Sequence, residues 1–181
     1  HRWQQLERLL AGSTRDLPAL AAAETLLAHE ELPPRGRYLA AVALFDHGLY
    51  ERAAPELEAV LGGDGVAGHE AAFLRGRCAF RRDRWQEAID WYRRALALAP
   101  SAPRRAELAL HLGRAHELAG ELDAAVAAAQ RALREDASDE RRLFLVATED
   151  RLSKLFIATP GSPDHALLAE IAAAASGVPE R

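Results

Sequence analysis

The sequence predicts an all-α fold, a right-handed superhelical solenoid of about five antiparallel helix pairs. Of its 181 residues, 40 are Ala and 28 are Leu, which are both strong helix formers. The chain is poor in the β-branched and aromatic residues on which sheets depend, with only three Trp, three Tyr and five Phe. A pattern of turn and apolar residues also recurs at intervals of 35 and 37 residues, which lies within the range of helix-pair repeats.

Each copy of the pattern contains a residue suited to ending a first helix, namely Gly48, Asp83 or Gly120. Gly, and less easily Asp, adopts the left-handed backbone conformation that closes helices. A second helix is expected to begin within two residues of each. Pro100 is expected to stop that second helix in the middle copy, because proline lacks the backbone N–H that would continue it.

A small residue marks the place where the two helices of each pair are expected to cross. A methyl side chain at the crossing lets the two helix axes approach each other. The residues at that position are Ala53, Ala88 and Ala125. In the first helices of the second and third copies, Gly76 and Gly113 share one position, which Ala41 takes in the first copy.

This pattern resembles the tetratricopeptide repeat, a helix–turn–helix unit of 34 residues. The middle copy, 69–102, carries the residues of the signature: Gly76, Trp85, Ala88, Tyr92, Ala95, Leu96 and Pro100. The copies at 34–67 and 106–139 match less fully. Ala41 replaces a Gly in the first copy, and Ala129 replaces an aromatic residue in the third. The resemblance implies the solenoid fold and a role in binding other proteins.

The flanking segments 1–33 and 140–181 are predicted to form atypical terminal pairs, so that residues 1–181 make a single helical-repeat domain. The helices expected there run from His1 to Ala11, from the cap residue Asp16 to about Glu31, from Ser138 to about Ala158, and onward to about Ala175. Because the chain starts at His1 and contains no Met, we interpret it as a piece of a longer protein. Its 22 Arg against one Lys, together with the many Ala, indicate a bacterial source, with the compartment, cytoplasmic or periplasmic, left open.

Composition and motifs exclude several classes of function. The net charge of −4 argues against a nucleic-acid partner, and the chain has no apolar run long enough to predict a membrane span. Cys78 is the only cysteine, so neither an intramolecular disulfide nor a Cys-rich zinc site is predicted. His69 and Glu70 begin a zinc-protease motif, but Phe73 replaces its second His. We therefore predict no metal, no cofactor and no enzymatic activity.

The resemblance also implies a binding surface, because five positions of each first helix line a concave face in this family. Here those positions give an Arg- and aromatic-lined surface suited to a protein or peptide with an acidic or carboxylate-bearing segment. The predicted contact residues are Tyr38, Phe45, Phe73, Arg77, Phe80, Arg81, Arg114 and Glu117. Arg77 and Arg114 hold the same position in neighbouring repeats, and both are expected to reach one acidic segment. The carboxylate clamp of chaperone-binding members is absent, because Phe73 and Arg77 replace its Lys and Asn.

Other interpretations remain open at this point. Phe45 and Phe80 have the alternative of packing between helix pairs, and Arg75, Arg82 and Arg84 are expected to lie on a solvated face. Two functions compete with a peptide-binding scaffold. The segment resembles, more weakly, the helical superstructure region of bacterial soluble lytic transglycosylases, whose catalytic domain would be absent here. Alternatively, the array self-assembles end to end through its terminal pairs.

Overall fold

The computed structural model describes residues 17–28 and 32–135, together with positions 8, 12, 14 and 15. Within these residues all regular secondary structure is α-helical and no strand occurs, which confirms the all-α helical-repeat fold. The helices described in full are α1 (Leu17–Leu27), α2 (Pro34–Asp46), α3 (Tyr50–Ala59), α4 (Gly68–Phe80), α5 (Trp85–Leu98), α6 (Ala102–Leu118) and α7 (Leu122–Glu135).

The chain divides into two compact units, His1–Leu98 and Ala99–Arg181. In the first unit, α2 packs with α3 and α4 packs with α5, so each forms a helix pair of the predicted kind. Helix α1 packs against α2, and α3 packs against α4, so that the first unit is a continuous stack. In the second unit, α6 and α7 form a further pair.

The flanking helices of the prediction are only partly covered by the described residues. The helix expected from Asp16 to about Glu31 is present as α1, which ends at Leu27, with Ala28 in a turn. The helix expected over 1–11 is described only at position 8, and the helices expected from Ser138 onward lie outside the described residues. None of the helices in the described ranges is long and apolar enough to cross a membrane.

The three turn residues adopt the left-handed conformation that the sequence predicts. The φ angle is 77° at Gly48, 57° at Asp83 and 78° at Gly120. In each turn, the amide that follows the left-handed residue donates a hydrogen bond to a carbonyl five positions earlier, which satisfies a free helix end. These bonds join Leu49 to Leu44 (2.9 Å), Arg84 to Ala79 (3.0 Å) and Glu121 to His116 (2.9 Å). The three first helices therefore end by the same mechanism.

The small residues predicted at the helix crossings lie in the interior. Ala53, Ala88 and Ala125 are all buried, with at most 2 % of their surface exposed. Gly76 has close surroundings as well. A Cβ atom added to it would lie 2.6 Å from Cδ1 of Tyr92. Helices α4 and α5 therefore approach each other through a position that has no room for a methyl group.

Arg75 is buried, and the prediction that it lies on a solvated face is wrong. Its side chain is 8 % exposed, its Nε lies 2.6 Å from a carboxylate oxygen of Glu58, and its Nη2 bonds Glu87. Its guanidinium also lies over the ring of Trp91, 5.1 Å from the centroid. Because Glu58 belongs to α3 and Glu87 to α5, the cation ties three helices of the first unit together.

The surroundings of Arg75 and Glu87 determine their protonation states. Burial by itself would lower the pKa of Arg75, but the hydrogen bonds and charges of its two carboxylates outweigh burial and raise it. Burial would likewise raise the pKa of Glu87, but the hydrogen bond and charge of Arg75 lower it overall. Both groups are therefore held in their charged forms.

Candidate functional site

Arg77 is the centre of the best-defined candidate site. It lies on α4, half-buried, with its guanidinium carbon 4.7 Å from the centroid of the Phe45 ring and 5.8 Å from that of Phe73. Phe73 precedes Arg77 by one helical turn, whereas Phe45 comes from the end of α2. Contacts of this kind attract a cation to the ring face and restrict its side chain. The packing of two neighbouring repeats therefore fixes the position of this charge.

The aromatic residues around Arg77 form a connected layer. The ring centroids of Phe73 and Tyr92 are 5.8 Å apart, and those of Phe80 and Trp85 are 5.1 Å apart with an edge-on geometry. Phe80 also lies 6.4 Å from Tyr92, so the layer joins α4 to α5. Aromatic pairs at these separations are mutually attractive. Phe73 connects this layer to the guanidinium group of Arg77.

Two of the predicted contact residues belong to the interior. Phe45 is 6 % exposed and Phe73 is 8 % exposed, so little of either ring is open to a partner. Phe45 packs in the core between helix pairs, which is the alternative stated for it in the sequence analysis. The centroids of the Phe45 and Tyr50 rings are 5.2 Å apart. Phe80 and Tyr38 are half-buried, and Tyr38 packs against the core cluster of α2, α3 and α4.

The charge of Arg77 has no counter-ion in the described part of the chain. Neither its guanidinium nor that of Arg81, one turn further along, pairs with a carboxylate of the described residues. Arg81 is exposed and caps the end of α4. Burial raises the pKa of the Tyr92 hydroxyl, and the positive charges of Arg77 and Arg81 oppose this rise.

The corresponding position of the third repeat is arranged differently. Arg114, in the second unit, pairs with Glu117 three residues later on α6, with 2.6 Å between Nη1 and Oε1. The Arg114 side chain is 39 % exposed, whereas that of Glu117 is only 9 % exposed. The carboxylate therefore lies beneath the cation and neutralises it. Glu117 stands at the repeat position that Phe80 takes on α4.

The interior of the second unit holds a histidine that the sequence analysis did not single out as a core residue. His116 is 3 % exposed, and its Nδ1 lies 2.6 Å from a carboxylate oxygen of Glu121 in the following turn. The equivalent positions in the first two repeats are Leu44 and Ala79, which are both buried. Alignment of the repeats would have identified His116 as a core residue. Because His116 contacts Glu121 in the turn that follows α6, we interpret it as a residue that stabilises this turn.

Two findings on the described residues concern groups that could take part in catalysis. They contain no group of three His, Cys, Asp or Glu side chains that could hold a metal ion. Cys78 is completely buried, and this burial raises the pKa of its thiol to about 12. A thiol with such a pKa is almost entirely protonated at neutral pH and is a poor nucleophile.

Comparison with known proteins agrees with the repeat architecture. A family model described as tetratricopeptide repeat matches residues 19–68, 38–103 and 101–140. None of the curated proteins matches the chain. The comparisons also give no support to the resemblance to lytic transglycosylases.

Several solved structures of MamA have a similar fold. MamA from Desulfovibrio magneticus RS-1 (residues 41 to the end) is 21 % identical, with a TM-score of 0.70 over 97 % of this chain and 92 % of that one. A second MamA structure is 19 % identical, with a TM-score of 0.65 over 99 % and 94 % of the two chains. MamA AMB-1 is 15 % identical, with a TM-score of 0.65 over 95 % and 92 %. At these identities the similarity is one of fold.

Proposed function

Because the chain belongs to the tetratricopeptide repeat family, we propose that it is a non-catalytic scaffold that binds a protein or peptide on the face formed by the first helices of its pairs. The observation that carries this proposal is the position of Arg77. Its guanidinium is held against aromatic rings, half-buried, without a carboxylate partner among the described residues. A charge fixed in this way is suited to bind a carboxylate from another molecule.

The physical basis of the proposed binding is preorganisation. A free Arg side chain loses up to about 2 kcal/mol of conformational entropy when it is fixed, so a side chain already held by two rings loses less on binding. A charge-assisted hydrogen bond to a carboxylate contributes about 1.5–3 kcal/mol. Arg77 would therefore anchor an acidic or C-terminal carboxylate of the partner.

The other predicted contact residues would have unequal roles. Phe45 and Phe73 lie beneath Arg77 and support it, whereas Tyr38 and Phe80 have surface left for apolar contact. Arg81 would add attraction for an acidic segment from its exposed position. Arg114 and Glu117 remain predicted contact residues of the third repeat.

The test of this proposal is a partner captured from a lysate and then measured with purified variants. Arg77→Ala should weaken binding about tenfold or more, the equivalent of losing one charge-assisted hydrogen bond. Arg93→Ala is the matched control, because Arg93 lies on α5 with its side chain 58 % exposed and a distant pair to Asp90 at 3.9 Å. Equal affinities of the two variants would overturn the proposal.

Light scattering of the chain alone, over a range of concentrations, distinguishes a separate partner from a second copy of the chain. A mass that stays constant is expected for a scaffold with a separate partner. A mass that rises with concentration, and that Arg77→Ala reduces, would identify the partner as another copy. A rise that Arg77→Ala leaves unchanged would place self-association elsewhere on the surface.

A further inference from the structure

We propose that the second repeat alone recognises an acidic group, so that the partner presents one carboxylate with an apolar or aromatic side chain beside it. This inference rests on the proposed function, and it defines the ligand of that same face. Its basis is a comparison of one position, the ninth residue of each repeat (34–67, 69–102 and 106–139), across the three repeats.

The ninth position changes its character from repeat to repeat. In the first repeat it is Val42, which is partly buried and packs against the core cluster. In the second it is Arg77, which has no carboxylate partner in the described ranges. In the third it is Arg114, whose guanidinium is bound by Glu117 at 2.6 Å. Of these three residues, only Arg77 therefore has a charge that no carboxylate of the described residues neutralises.

Glu117 does for Arg114 what a ligand would do for Arg77. It supplies a carboxylate from three residues along the same helix, and its side chain is 9 % exposed. A second carboxylate that approached Arg114 would meet the negative charge of Glu117 and would have to displace it. Like charges at such short range repel each other strongly where water is partly excluded. At this position of the third repeat, the protein's own carboxylate therefore already occupies the cation.

Phe80 is the reason that Arg77 stays available. It takes the repeat position of Glu117, three residues after its Arg, and it packs edge-on against Trp85 instead of offering a charge. The same residue makes the neighbourhood of Arg77 apolar. A ligand that satisfies both features carries its carboxylate next to an apolar or aromatic group, whereas a run of acidic residues leaves most of its charges unpaired.

A small probe with these two features tests the inference on the full chain. N-acetylphenylalanine at pH 7 carries one carboxylate and one ring, and N-acetylphenylalanine amide is its uncharged counterpart. The ¹⁵N resonances of the Arg side chains, assigned with Arg77→Lys and Arg114→Lys, report binding at each site. The acid should bind at Arg77 with a dissociation constant at least tenfold lower than at Arg114. The amide should leave both resonances unchanged.

Substitutions of Phe80 and Glu117, which take the same position in the second and third repeats, make the test specific. Glu117→Gln should make Arg114 respond to the acid, because it removes the internal counter-ion. Phe80→Glu should abolish the response of Arg77, and Phe80→Gln should retain it with a comparable loss of ring packing. The gain expected from Glu117→Gln does not depend on whether the Phe80 variants fold, so the inference stays open to refutation.

The outcomes separate this inference from the proposed function. Equal responses of Arg77 and Arg114 in the unaltered protein would refute the restriction to the second repeat, while the proposed scaffold function would stand. An unchanged Arg77 response in folded Phe80→Glu would also refute it. If neither Arg responds in any variant, this inference about the ligand fails, while the proposed scaffold function is still decided by the partner affinities of Arg77→Ala and Arg93→Ala.

Discussion

The close approach of α4 and α5 at Gly76 predicts that Gly76→Ala destabilises the protein. The added Cβ would lie 2.6 Å and 2.7 Å from two ring atoms of Tyr92 and 3.2 Å from Cβ of Trp91. Because Tyr92 is 1 % exposed, its ring has no free space into which to move. Such overpacking costs about 1–3 kcal/mol. Replacing a helical Gly by Ala returns about 0.5–1 kcal/mol, so the expected net loss lies between about 0 and 2.5 kcal/mol, with a midpoint of about 1 kcal/mol.

The assay is urea unfolding, followed by circular dichroism and by Trp fluorescence. Gly113→Ala is the matched control, because its added Cβ would lie 3.3 Å from the carbonyl oxygen of Ala125 and 3.4 Å from the Ala128 methyl, which requires a shift of only a few tenths of an ångström. It should change stability less than Gly76→Ala does. Tyr92→Leu should reduce the additional cost of Gly76→Ala, as expected for residues in contact. A Gly76→Ala variant that is more stable than the original protein by about 0.5–1 kcal/mol, the gain expected from helix propensity alone, would refute the close approach.

Three further predictions follow from the described packing. Ala88 is fully buried, so Ala88→Leu should overpack the pair formed by α4 and α5 and reduce the free energy of unfolding by about 1–3 kcal/mol, measured by urea titration. The pKa of Glu87 is lowered in the folded state, so its pairing stabilises the fold above the pKa of the unfolded state and is lost as the pH falls through the folded pKa. Acid unfolding curves should therefore be steeper for the original protein than for Glu87→Gln, and identical slopes would contradict this account. Burial raises the pKa of the Cys78 thiol to about 12, so iodoacetamide at pH 8 should modify it slowly in the folded protein and rapidly in urea, as mass spectrometry would show.

The features that the sequence predicted correctly are those that depend on local preferences. Gly48, Asp83 and Gly120 end their helices because their own backbone conformations allow it, whatever packs around them. The buried position of Ala88 likewise follows from the repeat spacing, since the period fixes which residues face the partner helix. Fold class and helix pairing could therefore be predicted without a structure.

The features that the sequence predicted wrongly depend on neighbours that are distant in the chain. Arg75 is buried because Glu58 and Glu87, on two other helices, compensate its charge, and no local pattern reveals such partners. The pairing of Arg114 with Glu117 is different, because a spacing of three residues on a helix is a readable signal for an ion pair. This spacing therefore predicts the ion pair, and Arg114 and Glu117 also stay predicted contact residues of a partner.

The ion pairs of Arg75 with Glu58 and Glu87 also affect the way in which the helical repeats unfold. In helical-repeat proteins, stability is the sum of the intrinsic stabilities of the repeats and the coupling between neighbours. Arg75 contributes to that coupling, because it binds Glu58 from the preceding repeat as well as Glu87 from its own. Separation of the two repeats would leave a buried cation without one of its counter-ions, which is costly in a weakly hydrated site. The first and second repeats should therefore melt in a single cooperative step. Replacing the first repeat by one that lacks an acidic residue at the position of Glu58 should weaken that cooperativity.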